Sequence, residues 1–284
     1  MNRSSNLILV RRRVWNALFV VFCYAVTAVA LAALAAILWT LLSKGVGGLD
    51  LSVFIHSTPA PGSKGGLANA IVGSIMMCLL AMVLAVVFGV LAGTWLAEYG
   101  GRSHYAEVIR FLNDVLLSAP SILVGLFVYE ILVAPFHSFS AFAGAVALSL
   151  LAIPVITRTT EDVLRLQPST LREAGVALGA HFSFVVRKIL WPSARNGMLT
   201  GALLAFARVS GETAPLLFTA LNNQFFSLDP TKPMANLPVV IFQFALSPYD
   251  DWRRLAWAGA LLIAVTVLSV TIIARLIARD STSR

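Results

Sequence analysis

The sequence contains few charged residues for its length. Of its 284 residues, 12% are charged and 58% are apolar, whereas a soluble domain usually carries about 25% charged residues. This composition excludes an ordinary water-soluble globular enzyme. The two cysteines, Cys23 and Cys78, both lie inside apolar runs, so the chain has neither a secreted disulfide framework nor a cysteine metal site.

The motifs of ATP hydrolysis are also missing. A phosphate-binding loop needs glycines followed by Lys and Ser or Thr, and no Gly-Lys pair occurs anywhere in the chain. Paired histidines with zincin spacing and a serine flanked by glycines in the hydrolase pattern are absent as well. We therefore expect no catalytic site and no cofactor or metal bound by this chain, so that energy must come from a partner or an ion gradient.

Long runs without charge divide the chain into membrane spans. A span needs about 20 apolar residues, and a helix pairs all of its backbone groups within the hydrocarbon. The solidly apolar runs lack the alternation of a barrel strand. The sequence therefore predicts an all-α integral membrane protein with six transmembrane helices, at about 15–42, 67–97, 115–134, 139–157, 197–221 and 255–275. Ser118, Pro120 and Ser121 are expected to break the third.

The distribution of Lys and Arg predicts the orientation, because cytoplasmic loops are enriched in these residues. With the amino terminus inside, 15 of the 21 basic residues lie on the cytoplasmic side and 5 outside, and Arg208 lies within a span. The predicted cytoplasmic parts are the segment 1–14, the loop 158–196 and the tail 276–284, and the core of five helices is 67–275. Nucleic-acid binding has no further support. A cleaved signal peptide in the first run is an alternative.

The loop 158–196 has the features of a bent helical pair. Thr170 and Glu173 have capping-box spacing, so a helix is expected to begin there. Gly179 can end that helix in the left-handed conformation. A second helix is expected to run to Trp191 and to stop at Pro192. We call residues 170–192 the elbow. The outer segments 43–66 and 222–254, rich in proline or glycine, are expected to form ordered caps or short re-entrant pieces.

The elbow resembles the signature loop of the membrane subunits of bacterial ABC importers. Its pattern is Glu-Ala-Gly, Gly after three residues, Ile after nine more, then one residue, Trp and Pro; the matching residues are Glu173, Ala174, Gly175, Gly179, Ile189 and Pro192. Gly175 replaces an alanine of the family pattern, and Trp191 replaces a leucine. The resemblance implies a coupling helix at about 170–180 that docks on a separate ATPase subunit. An ordinary capped loop helix is the alternative, although it does not account for the full spacing.

A second group of polar residues lies within the fifth predicted span. Arg208 and Glu212 are four residues apart, so on a helix they share a face and can pair. An arginine within the membrane costs at least about 2.5–3.5 kcal/mol on insertion scales and usually faces an aqueous path or the bundle interior. Pro215 is expected to clash with the carbonyl of Gly211 and weaken the helix. With the hydroxyls of Ser210 and Thr213, these residues form a candidate path for an anion, and a structural ion pair is the alternative.

Several longer stretches resemble the A-type permease subunit of the bacterial high-affinity phosphate importer. They are 107–129, 158–161, 208–220, 65–70 and 235–238. The resemblance implies a type I ABC importer permease (MetI-like) fold in the bacterial inner membrane, with phosphate as the substrate. It also implies a second homologous permease subunit, an ATPase dimer that binds ATP and Mg, and a periplasmic phosphate-binding protein. In that family an arginine in this segment matters for transport, and Arg208 occupies its position.

Three other functions are alternatives to this one. A gradient-driven secondary anion carrier would use Glu212 or Glu130 as its proton site, but it would have no need of the elbow. An ABC permease for a related oxyanion fits the residues equally well. An intramembrane enzyme is disfavoured because no nucleophile–base pair or metal-ligand spacing is found in the sequence.

Overall fold

The computed structural model describes the backbone of residues 3–101 and 103–282 and the side chains of residues 11–101 and 103–277. All regular secondary structure within these ranges is helical, which confirms the predicted fold class. The α-helices are α1 Arg3–Gly48, α2 Leu51–Ile55, α3 Ala68–Thr94, α4 His104–Ser118, α5 Ser121–Val128, α6 Ala141–Arg165, α7 Ser169–Ala177, α8 Phe182–Val185, α9 Trp191–Val209, α10 Ala214–Thr219, α11 Leu237–Ala245 and α12 Asp250–Thr282. Three π-helical turns, Trp95–Tyr99, Tyr129–Val133 and Val186–Leu190, continue α3, α5 and α8.

Four helices of the described chain are long and apolar enough to cross a membrane: α1, α3 with its π turn, α6 and α12. A fifth span is formed if α4 and α5 count together, although they bend by 106° at the expected break near Pro120. The remaining predicted span, 197–221, coincides with α9 and α10, which are separated by a break at 210–213. The chain therefore has several apolar spans, but two of the six predicted helices are interrupted.

Several predicted boundaries differ from the helices. The fourth span continues to Arg165, well into the predicted loop. The amino-terminal segment 1–14 is already helical from Arg3, and the tail 276–284 is helical as far as Thr282. The remaining ends, residues 1–2 and 283–284, lie outside the described residues.

Helix α6 lies at the centre of the fold and packs closely against α3. The contact face of α3 carries small residues, among them Gly89 and Gly93. A Cβ atom at Gly89 would lie 2.8 Å from Ile156 Cβ, and one at Gly93 would lie 2.5 Å from the carbonyl oxygen of Thr157. Small residues let membrane helices approach closely enough for extensive van der Waals contact. The Gly-x-x-x-Gly spacing on α3 therefore holds the two helices together.

Helix α9 packs on another face of α6 in the same way. Cβ atoms at Gly197 and Gly201 would lie 2.6 Å from Val163 Cγ1 and 2.2 Å from Thr159 Oγ1. This contact fixes the helix that carries Arg208 against the centre of the fold.

The outer segments form ordered caps over the bundle, as the sequence predicts. Asn69 is buried, accepts a hydrogen bond from the amide of Thr58 and donates to the carbonyl of Asn223. At the start of α6, the amides of Ala141 and Phe142 donate to carbonyl oxygens of the 222–254 segment. Because helix N-termini leave amides without intrahelical partners, this cap satisfies groups that would otherwise be unpaired.

Candidate functional site

The elbow is bent at Gly179, as the sequence predicts. Helix α7 ends at Ala177, and Gly179 has a φ of +80°, which is favourable only for residues without a Cβ. The predicted capping box is wrong. The residue at the cap position is Pro168, with no side-chain capping bond, so α7 begins one residue before Thr170. Proline has no side-chain acceptor, so the first amides of α7 receive no side-chain cap from this position.

The predicted stop at Pro192 is also wrong. The backbone is helical without interruption from Phe182 to Val209. The N–H of Trp191 donates to the carbonyl of Val186, five residues earlier, so the hydrogen-bond register shifts just before the proline. The π turn directly before Pro192 shifts the hydrogen bonds, so the helix continues through the proline in the first turn of α9. The second arm of the elbow and the helix that carries Arg208 are therefore one continuous rod.

Gly175 and Ile189 of the signature pattern meet where the two arms of the elbow pack together. A Cβ at Gly175 would lie 2.7 Å from Val185 Cγ2 and 3.2 Å from Ile189 Cδ1. The glycine in place of the family alanine therefore allows a closer approach of the arms. Sequence reasoning assigned this small residue to the docking surface, whereas the structure places it in the contact between the arms.

The other face of the elbow is exposed. Glu173 and Ala174 lie on the surface, as do the apolar side chains of Val176 and Leu178. The side chain of Leu178 is 88% exposed and lies close to that of Val176 in sequence. A carboxylate next to two exposed apolar side chains is suited to contact another protein.

An ion pair that sequence reasoning missed anchors the elbow to α3. Arg172 donates from Nη2 to Glu98 Oε1 at 2.6 Å and from Nε to Glu98 Oε2 at 2.8 Å. Glu98 is only 2% exposed. The hydrogen bond with Glu98 raises the pKa of Arg172 above its usual value. The two residues are 74 positions apart, so no local sequence pattern indicates their pairing.

Backbone acceptors complete the surroundings of Arg172. Its guanidinium also donates to the carbonyl oxygens of Leu164 and Gln167, each at 2.8 Å. Nearby, the indole N–H of Trp191 donates to Thr94 Oγ1 at 3.1 Å. Each arm of the elbow is thus bonded to the carboxyl-terminal end of α3 and its π turn.

A second buried carboxylate holds α4 against α6. Glu161 is 2% exposed, and its Oε1 lies 2.8 Å from both Arg110 Nε and Arg165 Nη2. Arg110 also donates to the carbonyl of Leu96. The end of the bundle next to the elbow is therefore fixed by two buried glutamates, each paired with arginine.

The predicted pairing of Arg208 with Glu212 is wrong. Helix α9 ends at Val209, so the two residues do not share a helical face. Among the described residues, no carboxylate lies within 4 Å of Arg208, and its side chain is exposed. The break lies at 210–213, before Pro215, which occupies the first turn of α10 and does not kink an existing helix.

The polar residues around the break do not form a single site. Ser210 lines a mostly apolar cavity of about 260 Å³ together with Ser74 and Thr266, but Arg208 does not line that cavity. Gly211 is exposed, and Glu212 and Thr213 are half-buried. Arg208 and Gly211 therefore lie on the surface of this chain, whereas Ser210 faces α3 and α12.

The short helix after the break is held firmly. Pro215 is buried against Gly125 of α5, where a Cβ would lie 2.6 Å from Pro215 Cα. Thr219, at the end of α10, accepts a hydrogen bond through its carbonyl from the amide of Ser140. The break after Arg208 thus lies between two fixed helices.

Comparison with known proteins gives a match over most of the bundle. Residues 89–282 match the family model described as binding-protein-dependent transport system inner membrane component. These residues include the bent pair α4–α5, the elbow and the segment around Arg208.

Relatives match over nearly the whole chain. The phosphate transport system permease protein PstA of Haemophilus influenzae is 51% identical over 276 residues, which are 97% of this chain and 98% of the relative. The protein of the same name from Pasteurella multocida is 55% identical and covers 84% of this chain and 86% of its own length. A probable phosphate transport system permease protein PstA of Methanocaldococcus jannaschii is 36% identical and covers 77% of this chain and 78% of its own length.

A solved structure has the same fold. A chain of the MetNI methionine ABC transporter in an inward-facing conformation matches with a TM-score of 0.63 and 20% identity, over 76% of this chain and 95% of that chain. At this identity the likeness concerns the fold alone, and it agrees with the MetI-like permease architecture expected from the sequence.

Proposed function

Because this chain belongs to the family of binding-protein-dependent transport system inner membrane components, we propose that it is the permease subunit of an ATP-driven importer of inorganic phosphate. The observation that carries the proposal is the identity of 51% over nearly the full length with a phosphate transport permease. The exposed elbow supports the ATP-driven mechanism, since a gradient-driven carrier has no use for a docking surface of this kind.

The exposed face of the elbow is the proposed docking surface for a separate ATPase dimer. Val176 and Leu178 would fill an apolar recess of the ATPase, and Glu173 would pair with a basic residue at its edge. The ATP and Mg would be bound by the ATPase, and this chain would contribute no catalytic group. Gly179 sets the bend that presents this face.

Two connections would transmit movement of the elbow into the membrane. The first is the continuous helix from Phe182 to Val209, which spans roughly 40 Å at about 1.5 Å per residue. The second is the pairing of Arg172 with Glu98 at the end of α3. A displacement of the elbow by the nucleotide cycle of the ATPase would therefore move α3 and Arg208 together.

Arg208 is the proposed stepping point for the anion. A guanidinium presents several donors to a phosphate and can bind it in a bidentate manner. No described carboxylate competes for Arg208 within 4 Å, so its charge is available to a passing anion. Glu212, Thr213 and Gly211 would line the adjacent path, and the break at 210–213 would expose backbone donors there.

The remaining partners follow from the proposed assembly. A second homologous permease subunit would face the open side of Arg208, and a periplasmic phosphate-binding protein would dock on the outer caps 43–66 and 222–254. Both termini would lie in the cytoplasm, in agreement with the excess of basic residues in the loops assigned to that side. No role in nucleic-acid binding is proposed.

Reconstitution of the complete importer in liposomes tests the proposal. Uptake of radiolabelled phosphate should require the binding protein, the ATPase and ATP, and a proton gradient alone should give none. Gradient-driven uptake without ATP would instead establish a secondary carrier. Competition by sulfate, molybdate and arsenate then identifies the anion, and preferred uptake of another oxyanion would overturn phosphate as the substrate.

A further inference from the structure

A groove opens at the cytoplasmic end of α3, on the face away from the core of the bundle. It has a volume of about 260 Å³. One wall is formed by α3 and its π turn, and the other by the end of the elbow. The lining includes Leu91, Trp95, Tyr99, Arg187 and Trp191. Leu91 continues an exposed apolar stripe on α3 that includes Val83 and Val87. In a span of this composition, such a stripe faces lipid.

The aromatic residues of the groove have the pattern of a membrane interface. Trp95 and Tyr99 are one turn apart at the cytoplasmic end of the span and are 37% and 50% exposed. Tryptophan and tyrosine are enriched at the level of the lipid headgroups, where one end of the ring is apolar and the other is wet. Trp191 is held in place because its N–H donates to Thr94 Oγ1. The groove is therefore preformed at headgroup depth.

Arg187 brings an unneutralised positive charge to this groove. Its Nε donates to the carbonyl of Ser183 at 3.2 Å, which orients the guanidinium and leaves its terminal nitrogens free for another acceptor. No carboxylate of the described chain lies within 4 Å of it, whereas Arg110, Arg165 and Arg172 on the same side are all paired with buried glutamates. The charge of Arg187 is therefore available to a ligand.

We propose that this groove binds an anionic phospholipid of the inner leaflet, with the phosphate on Arg187 and the start of one acyl chain along Leu91 and Trp95. Basic pockets between membrane helices on the cytoplasmic side are suited to acidic headgroups. The lipid would contact both α3 and the elbow, on opposite sides of the groove. The inference depends on the cytoplasmic placement of the elbow but not on phosphate as the transported substrate.

Lipid retention by the complete importer tests the proposal. The complex is purified from nanodiscs that contain equal amounts of phosphatidylglycerol and phosphatidylcholine, and retained lipid is counted by native mass spectrometry. Arg187→Gln should lower retained phosphatidylglycerol about fivefold, as expected for the loss of one basic residue near an anionic lipid. Lys188→Gln is the matched control, since Lys188 is the neighbouring exposed cation but does not line the groove, and it should change retention less than twofold.

A second pair of variants tests the apolar part of the site. Trp95→Ala should lower retention, whereas Tyr105→Ala should not, because Tyr105 is an exposed aromatic residue outside the groove. Equal retention by Arg187→Gln and the unmodified complex would overturn the proposal. Displacement of the lipid by millimolar inorganic phosphate would also overturn it, because that result would indicate an ion site. A cross-link from residue 95 to another subunit, and not to lipid, would overturn it as well. Normal complex assembly and an unchanged melting temperature exclude misfolding.

Discussion

Arg172 in the elbow binds both carboxylate oxygens of Glu98 at the end of α3, with distances of 2.6 and 2.8 Å. The carboxylate is buried, so this pair is shielded from solvent and from salt. It ties the elbow to the end of α3. The same pair explains why the elbow keeps a defined position although its outer face is exposed.

Removing one partner of this pair should destabilise the protein strongly. Glu98→Gln leaves the Arg172 charge without its counterion and is expected to cost about 3–5 kcal/mol, the range for breaking a buried pair. The melting temperature in detergent should fall clearly. Arg158→Gln is the control, because its pairing with Asp162 at 3.4 Å is half exposed and such pairs contribute about 0–1 kcal/mol.

An exchange of the two charges separates coupling from stability. The double variant Glu98→Arg with Arg172→Glu should recover only a small part of the melting temperature, because a carboxylate at 172 would face the carbonyl oxygens of Leu164 and Gln167 that Arg172 binds. If ATP hydrolysis in that variant still depends on the binding protein, the pair transmits the signal as a charge pair. Full coupling in the single variant Glu98→Gln would contradict this role.

Arg208→Gln should abolish phosphate uptake while the complex still assembles. The reason is the loss of the only Lys or Arg in the fifth predicted span. The exposed side chain makes no ion pair with any residue that the structure describes, so its loss should not disturb folding. Arg208→Lys should retain a fraction of the uptake, and the measurement is ATP-dependent uptake in proteoliposomes. Normal uptake by Arg208→Gln would refute the pathway role.

Glu212→Gln distinguishes the importer from a proton-driven carrier. Since Glu212 does not pair with Arg208, its neutralisation should leave most of the uptake intact. A carrier that uses Glu212 as its proton site would instead lose all transport in this variant. The same proteoliposome assay, run with and without a proton gradient, gives the answer.

Changes at the elbow should separate docking from folding. Glu173→Lys reverses an exposed charge and should weaken co-purification of the ATPase with little change in melting temperature. Gly179→Pro should detach the ATPase by removing the bend, because proline cannot adopt the observed φ of +80°. Gly179→Ala is a milder variant, which should lower the free energy of unfolding by about 1–2 kcal/mol. Normal co-purification and transport in both Glu173→Lys and Gly179→Pro would refute the docking role.

The contact between α3 and α6 should be sensitive to a single methyl group. In Gly93→Ala the new Cβ would lie 2.5 Å from the carbonyl oxygen of Thr157 and 2.7 Å from Thr160 Cβ, and overpacking of this kind costs about 1–3 kcal/mol. Gly47→Ala is the matched control, since no atom lies within 4 Å of its Cβ position, and it should be neutral or slightly stabilising. Melting temperatures of the two variants provide the comparison.

The helical membrane fold, the bend at Gly179 and the break near Pro120 could all be predicted from the amino-acid sequence. These features depend on composition and on local conformational preference, and a few consecutive residues are enough to show both. Hydrocarbon leaves the backbone little choice but a helix, and a glycine after a helical segment favours the left-handed cap.

Three features could not be predicted in this way because they depend on helix packing: the pairing of Arg172 with Glu98, the separation of Arg208 from Glu212 and the continuity of the helix through Pro192. Ion pairs over 74 positions depend on how helices pack and leave no local pattern. The surrounding contacts also set the π turn that shifts the hydrogen-bond register before Pro192. They likewise set the helix end at Val209, after which Glu212 no longer shares a helical face with Arg208. Spacing along the chain predicts neighbours only while the helix continues, and here packing decided where each helix ended.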